Sequence, residues 1–164
     1  MGKFAKGSYV FVEDDEDMYV AAKVEVDFEN GKPGAVKLID NDRSIRLSGP
    51  ATKSVVAMDK QCLESHDDMV QLKQLDEPSI LHNLRMRYMK DDIYTNIGTI
   101  LVSMNPFKIL PIYTPEVVDK YVKQGSAKLP PHVFGVADNA YRSLVDSGND
   151  QSCIVSGESG AGKT

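Results

Sequence analysis

Residues 157–164 read Gly-Glu-Ser-Gly-Ala-Gly-Lys-Thr, and this stretch constrains the chain more than any other. Gly157, Gly162, Lys163 and Thr164 satisfy every fixed position of the pattern G-x-x-x-x-G-K-[ST]. A polyphosphate must be wrapped by backbone N–H groups, and a Cβ would block that approach or forbid the φ it needs. Gly157, Gly160 and Gly162 remove the obstacle, and Glu158, Ser159 and Ala161 complete the loop. Lys163 suits the β and γ phosphates as a compact cation and is the candidate catalytic group, while the Thr164 hydroxyl suits Mg²⁺, which prefers oxygen ligands. A triphosphate would repel the Glu158 carboxylate, so its side chain is expected to turn outward and leave only its backbone N–H useful. A strand should precede such a loop, and Ser152–Val155 is the expected strand. The motif gives no reaction, because the groups that orient water and support Mg²⁺ lie C-terminal to the loop in this class. The chain stops at Thr164, where a helix would normally begin. A folded domain is not expected to end there.

Upstream, two textures follow one another. Tyr9 and Phe11 form one period-2 set, and Val20, Ala22, Val24 and Val26 form another with Lys23 and Glu25 opposite. Asn30-Gly31 and Pro33-Gly34 break the pattern, after which Ala35 to Ile39, Ser44 to Leu47 and Ser54 to Met58 read as three more short strands. Five strands near ten-residue spacing predict a small all-β, SH3-like barrel over residues 1–58. The acidic run Glu13 to Asp17 falls at a hairpin tip, solvated in the simplest reading, with a docking patch for a basic partner as the alternative.

From residue 59 to 164 helices and strands alternate, the grammar of an α/β domain. Pro78 opens a helix carrying Ile80, Leu81, Leu84 and Tyr88 at helical spacing, and Thr99 to Met104 is an apolar strand running into Asn105-Pro106. Thr114-Pro115 starts a second helix, stopped by Gly125, whose buried stripe is Val117, Val118, Tyr121 and Val122. A third follows Pro130-Pro131, with Val133, Phe134, Val136, Ala137, Ala140, Tyr141, Leu144 and Val145 on one side and Gly148 as its cap. His82 and His132 lie on or before helices without a nucleophile or paired carboxylate at a meaningful spacing, so both read as structural.

Composition narrows the function classes. The chain of 164 residues is 41% hydrophobic and 26% charged, which excludes a disordered polymer and leaves room for a core. A net charge of −5 repels a phosphate backbone, so nucleic-acid binding is not expected. Cys62 and Cys153 fit no metal spacing and read as free thiols. No apolar run reaches the length of a membrane span or a signal peptide, so a cytoplasmic chain without membrane insertion is expected.

Taken together these segments resemble the myosin heavy chain motor domain. GESGAGKT is the myosin form of the phosphate loop, where kinesins and most other ATPases carry different inner residues. Asn105-Pro106-Phe107-Lys108 with Pro111-Ile112-Tyr113 is similar to the myosin purine-binding loop. His132-Val133-Phe134 with Ala137 to Tyr141 resembles the helix before the phosphate loop, and Ser152 to Ser156 the strand leading into it. With Leu81 to Arg85, Arg87-Tyr88 and Ile93 to Thr95, the likeness covers Pro78 to Thr164. The first half is similar to the myosin N-terminal SH3-like barrel in position and pattern only, and Phe11 stands where many myosins have Trp.

The resemblance implies an N-terminal barrel followed by the incomplete start of a P-loop α/β motor core. It implies that Asn105 and Tyr113 face the adenine of ATP, with Pro106, Phe107 and Lys108 shaping the loop. It implies MgATP hydrolysis coupled to movement on actin in the complete chain, on the actin cytoskeleton. The switch loops, the actin-binding cleft and the light-chain sites would lie beyond Thr164. Two alternatives stay open at this point: another P-loop NTPase that does not act on actin, or a non-catalytic fragment or interaction module.

Overall fold

The computed structural model describes residues 2–163 and separates the chain into two compact units. One comprises Met1–Ser65 and Leu72–Arg85, the other His66–Gln71 and Met86–Thr164.

The first unit is built on β-strands: β1 (Lys3–Phe4), β2 (Tyr9–Asp14), β3 (Met18–Val26), β4 (Phe28–Glu29), β5 (Gly34–Leu38), β6 (Ser44–Leu47) and β7 (Val56–Met58). The five strands expected from the sequence form one antiparallel sheet in the order β6-β5-β3-β2-β7, and the short β1 and β4 pair separately. Among the described residues no ladder joins β6 to β7, so the hydrogen-bonded sheet is open and a closed barrel is not formed by pairing. Val10, Val12, Ala22, Val24, Val36 and Leu47 fill the core with Phe4 and Phe28, as alternation along β2 and β3 dictates. Val26 does not join them. The register shifts between Val24 and Val26, and the bulge turns Val26 out to solvent. Phe11 points from the opposite face of β2 and is also fully buried, its ring 5.5 Å from that of His82 in an edge-on arrangement. The hairpin tip between β2 and β3 carries Glu13 to Asp17, where the Asp14 carboxylate accepts the N–H groups of Glu16 and Asp17 at 3.0 Å each.

Two turns of this unit meet at Thr52, which is completely buried. Its hydroxyl oxygen accepts the Gly31 N–H at 3.0 Å and donates toward the Lys32 and Gly49 carbonyls at 2.9 and 2.8 Å. Gly49 sits so close that a Cβ there would lie 2.6 Å from the Gly31 carbonyl oxygen.

Helix α1 (Glu77–Tyr88) runs through the sequence boundary of the two units. The second unit continues with the antiparallel hairpin β8 (Tyr94–Ile97) and β9 (Ile100–Ser103), then α2 (Pro115–Gln124) and α3 (Val133–Ser147). Thr114 and Pro115 start α2, and Gly125, at φ +74°, ends it. Gly148 closes α3 in the left-handed conformation, its N–H bonded to the Leu144 carbonyl at 2.9 Å, as a C-terminal glycine cap should be. Gly135 lets α3 approach the turn after α2, since a Cβ there would be 3.0 Å from Ser126 Cβ. Arg142 also bonds the Val122 carbonyl at 2.7 Å.

The apolar stripes of these helices are only partly covered. Tyr121 is buried, whereas Val118, Val122, Val133, Tyr141, Leu144 and Val145 are exposed. The expected strand at 152–155 is not formed either: the segment pairs with nothing, and Ile154 is 92% exposed. An isolated strand has no ladder to satisfy its backbone, so an apolar sequence alone cannot make one. No helix among the described residues is long and apolar enough to cross a membrane.

Candidate functional site

Gly157 to Lys163 forms an exposed loop that closes on itself. Lys163 Nζ donates to the carbonyls of Gly157 at 2.8 Å and Glu158 at 2.9 Å, and the Ala161 N–H bonds back to the Glu158 carbonyl at 3.2 Å. Gly160 and Gly162 take φ of +83° and +95°, values that any Cβ would strain. Gly157 is tight for a second reason, because a Cβ on it would meet Ala161 Cβ at 3.3 Å. The Glu158 and Ser159 side chains are exposed. Thr164 lies outside the described residues.

The segment Asn105 to Tyr113 reaches this loop through Asn105. A Cβ on Gly162 would be 3.4 Å from the Asn105 amide nitrogen, so the side chain of Asn105 lies against the backbone of the phosphate-loop sequence. Asn105 also shapes its own turn, its Oδ1 accepting the Phe107 N–H at 2.9 Å. That bond holds Phe107 at φ +50°, a left-handed conformation that costs a bulky residue about 1–2 kcal/mol. The Phe107 ring is 83% exposed and so gains nothing from packing in return. Pro106 lies between them, half-buried. Lys108 is paired with Asp91 at 2.6 Å, both side chains about half exposed.

Tyr113 takes part in an aromatic cluster. Its hydroxyl and that of Tyr94 hydrogen-bond at 2.8 Å, and its ring lies 5.6 Å from His132 and 6.1 Å from Phe134. His132 is the hub. It is 7% exposed, contacts Tyr94 edge-on at 4.9 Å and stacks on Tyr121 at 5.3 Å. Its Nδ1 accepts the Phe134 N–H at 3.1 Å, which caps α3, while Nε2 is enclosed without a hydrogen-bond partner. Burial holds the His132 pKa below its ordinary value, opposed in part by the Ile112 backbone. Burial also pushes the Tyr94 hydroxyl up, reinforced by Tyr113.

Beneath β8, Arg87 is 5% exposed and makes three contacts. Its guanidinium donates to Thr95 Oγ1 at 2.9 Å, to the Tyr94 carbonyl at 2.8 Å and to the Asp67 carboxylate. The neighbouring Asp68 accepts the Gly98 N–H at 3.0 Å, and the Asp67 carbonyl accepts the Asn96 N–H at 2.8 Å. Segment 66–71 is thereby tied along β8.

Reasoning from sequence found both loops but missed Tyr94, Arg87 and the hub role of His132. The signal for Tyr94 was faint: strand alternation puts it on a face of β8, but nothing local says that Tyr113 lies opposite.

A glycine loop closed by its own lysine, with an asparagine side chain against it, carries the residue pattern of a phosphate loop. Comparison with known proteins narrows this. Residues 66–164 match the family described as myosin head (motor domain). Over 101 residues, 62% of the chain, it is 54% identical to the high molecular weight form of myosin-1 of Acanthamoeba castellanii. Over 161 residues, 98% of the chain, it is 38% identical to the myosin-J heavy chain of Dictyostelium discoideum. The chain belongs to the myosin head family and is part of a myosin motor domain. It spans 6% and 7% of the length of those two relatives.

Proposed function

We propose that this chain supplies the adenine and phosphate contacts of an actin-dependent ATPase motor. The observation that carries the reading is the closed loop Gly157 to Lys163 with Asn105 against Gly162, since it joins two sequence segments that a nucleotide would have to bridge. In this reading Asn105 and Tyr113 face the base, Pro106, Phe107 and Lys108 shape the purine loop, and the N–H groups of Gly157, Glu158, Ser159, Gly160, Ala161 and Gly162 cradle the phosphates. Lys163 leaves its two carbonyls for the β and γ phosphates. Mg²⁺ bound with ATP would neutralise charge on those oxygens, and the Thr164 hydroxyl is the group of this chain that would hold it.

Residues 1–58 form the appended module, an open five-stranded sheet with the strand count of an SH3-like domain, and residues 59–164 begin the motor core. The remaining heavy chain pairs Ser152–Val155 into its sheet, covers the open stripe of α3, and carries the contacts to actin and light chains. The whole works in the cytoplasm on the actin cytoskeleton.

The test is Lys163→Ala in the full heavy chain, assayed by actin cosedimentation with and without ATP. The unsubstituted chain is expected to leave actin when ATP is added, and the variant to stay bound. ATP-dependent release by the variant, or no actin binding by either, refutes the reading.

A further inference from the structure

Tyr113 is half exposed, and a ring left free on a surface would sample several rotamers before it could meet a planar ligand. It is not free. Its hydroxyl is held by Tyr94 at 2.8 Å and its ring rests against His132. Both supports are themselves fixed. Tyr94 sits in β8 opposite Ser103, with its carbonyl bonded to the buried Arg87, and His132 is locked by its cap bond to Phe134 and by stacking on Tyr121.

We propose that Tyr94 is a positioning residue for base recognition: its hydroxyl sets the orientation of the Tyr113 ring. This rests on the proposed adenine role of Tyr113. The energetic logic is that of preordering, in which a side chain already held does not lose rotamer freedom when the ligand arrives. The effect must therefore fall on ligands that carry a base and spare those that do not. His132 contributes a fixed wall, since the rings of Tyr94, Tyr113, Tyr121 and Phe134 all lie against it.

The experiment uses the full heavy chain with Tyr94→Phe, Tyr113→Phe, their combination and Tyr113→Ala, measuring affinity for ATP and for inorganic tripolyphosphate. Loss of one neutral hydrogen bond predicts that Tyr94→Phe weakens ATP by roughly threefold to tenfold and leaves tripolyphosphate unchanged. Tyr113→Phe should do the same, and the double variant should lose no more than either single one, since all three break the same bond. Unchanged tripolyphosphate affinity also certifies an intact loop. Equal loss on both ligands, no loss on either, or additive single effects overturns the proposal. Tyr113→Ala separates the two levels. Selective loss of ATP there with none in Tyr94→Phe refutes only the positioning role, whereas equal loss of both ligands in Tyr113→Ala refutes the adenine reading beneath it.

Discussion

Replacing Arg87 by Met keeps most of the side-chain volume and removes every donor. Three acceptors lose their partner, and they are not equivalent. Thr95 is 1% exposed, so water cannot replace the guanidinium there, and an unsatisfied buried oxygen costs about 1–3 kcal/mol. The Tyr94 carbonyl is partly buried and adds about 1 kcal/mol by the same reasoning. The Asp67 carboxylate adds little, because its side chain is 60% exposed and water takes over the charge. The sum is a loss of about 2–4 kcal/mol. Arg87→Lys should recover little of it, since an ammonium on a flexible stem cannot serve three acceptors as a planar fork does. Urea unfolding followed by circular dichroism measures the loss, there being no Trp to follow by fluorescence. Hydrogen exchange supplies the local readout. Asn96 and Gly98 donate their N–H groups to Asp67 and Asp68, so their exchange should quicken before that of β2 and β3. A loss below about 0.5 kcal/mol, the ordinary surface value, or uniform acceleration across the chain, would refute the account.

Three further outcomes follow from burial and close contact. His132 is held below its ordinary pKa of 6.5 by burial, so the folded state binds fewer protons than the unfolded one. Its contribution is complete above about 6.5 and is lost as pH falls through the lowered folded value; His82, also lowered chiefly by burial, acts in the same direction. Urea midpoints measured from pH 7 down to 5 should therefore fall, and His132→Phe should flatten the slope. Burial raises the Cys62 pKa, opposed in part by its contact with the Ser79 hydroxyl, whereas Cys153 is exposed. A maleimide at neutral pH should label one thiol rapidly, Cys153→Ser should abolish that phase, and the second thiol should react only on unfolding. Gly49→Ala places a methyl 2.6 Å from the Gly31 carbonyl and should lower stability by about 1–3 kcal/mol, read as a drop in melting temperature.

Sequence patterning located the five main strands and the three helices because each is announced locally. Alternation marks β2 and β3, Pro115 and Gly125 bracket α2, and Gly148 ends α3. The failures share a cause. Val26 follows the expected alternation until a bulge shifts the register, and a bulge leaves no mark in hydrophobicity. Val118, Val122, Leu144 and Val145 carry the pattern of a buried stripe, yet within the described residues they stay 39–62% exposed. Ser152–Val155 has the composition of a strand and no partner to pair with. In each case periodicity records which face a chain is built to bury, while burial itself depends on residues distant in sequence. The same holds at the site. The loop glycines were legible because each answers to its own backbone, whereas the Tyr94–Tyr113 bond joins residues whose neighbours in sequence say nothing of each other.

The two carbonyl bonds of Lys163 also bear on how quickly the loop can engage an anion. A glycine-rich segment without them would have to search many backbone states, each residue losing about 1–2 kcal/mol of conformational freedom on ordering. With the ammonium already tethered to Gly157 and Glu158, a phosphate bound as proposed would exchange partners with a cation that is in place. Capture then becomes a substitution at a standing scaffold. Such capture would begin with the breaking of two hydrogen bonds, which can be undone singly.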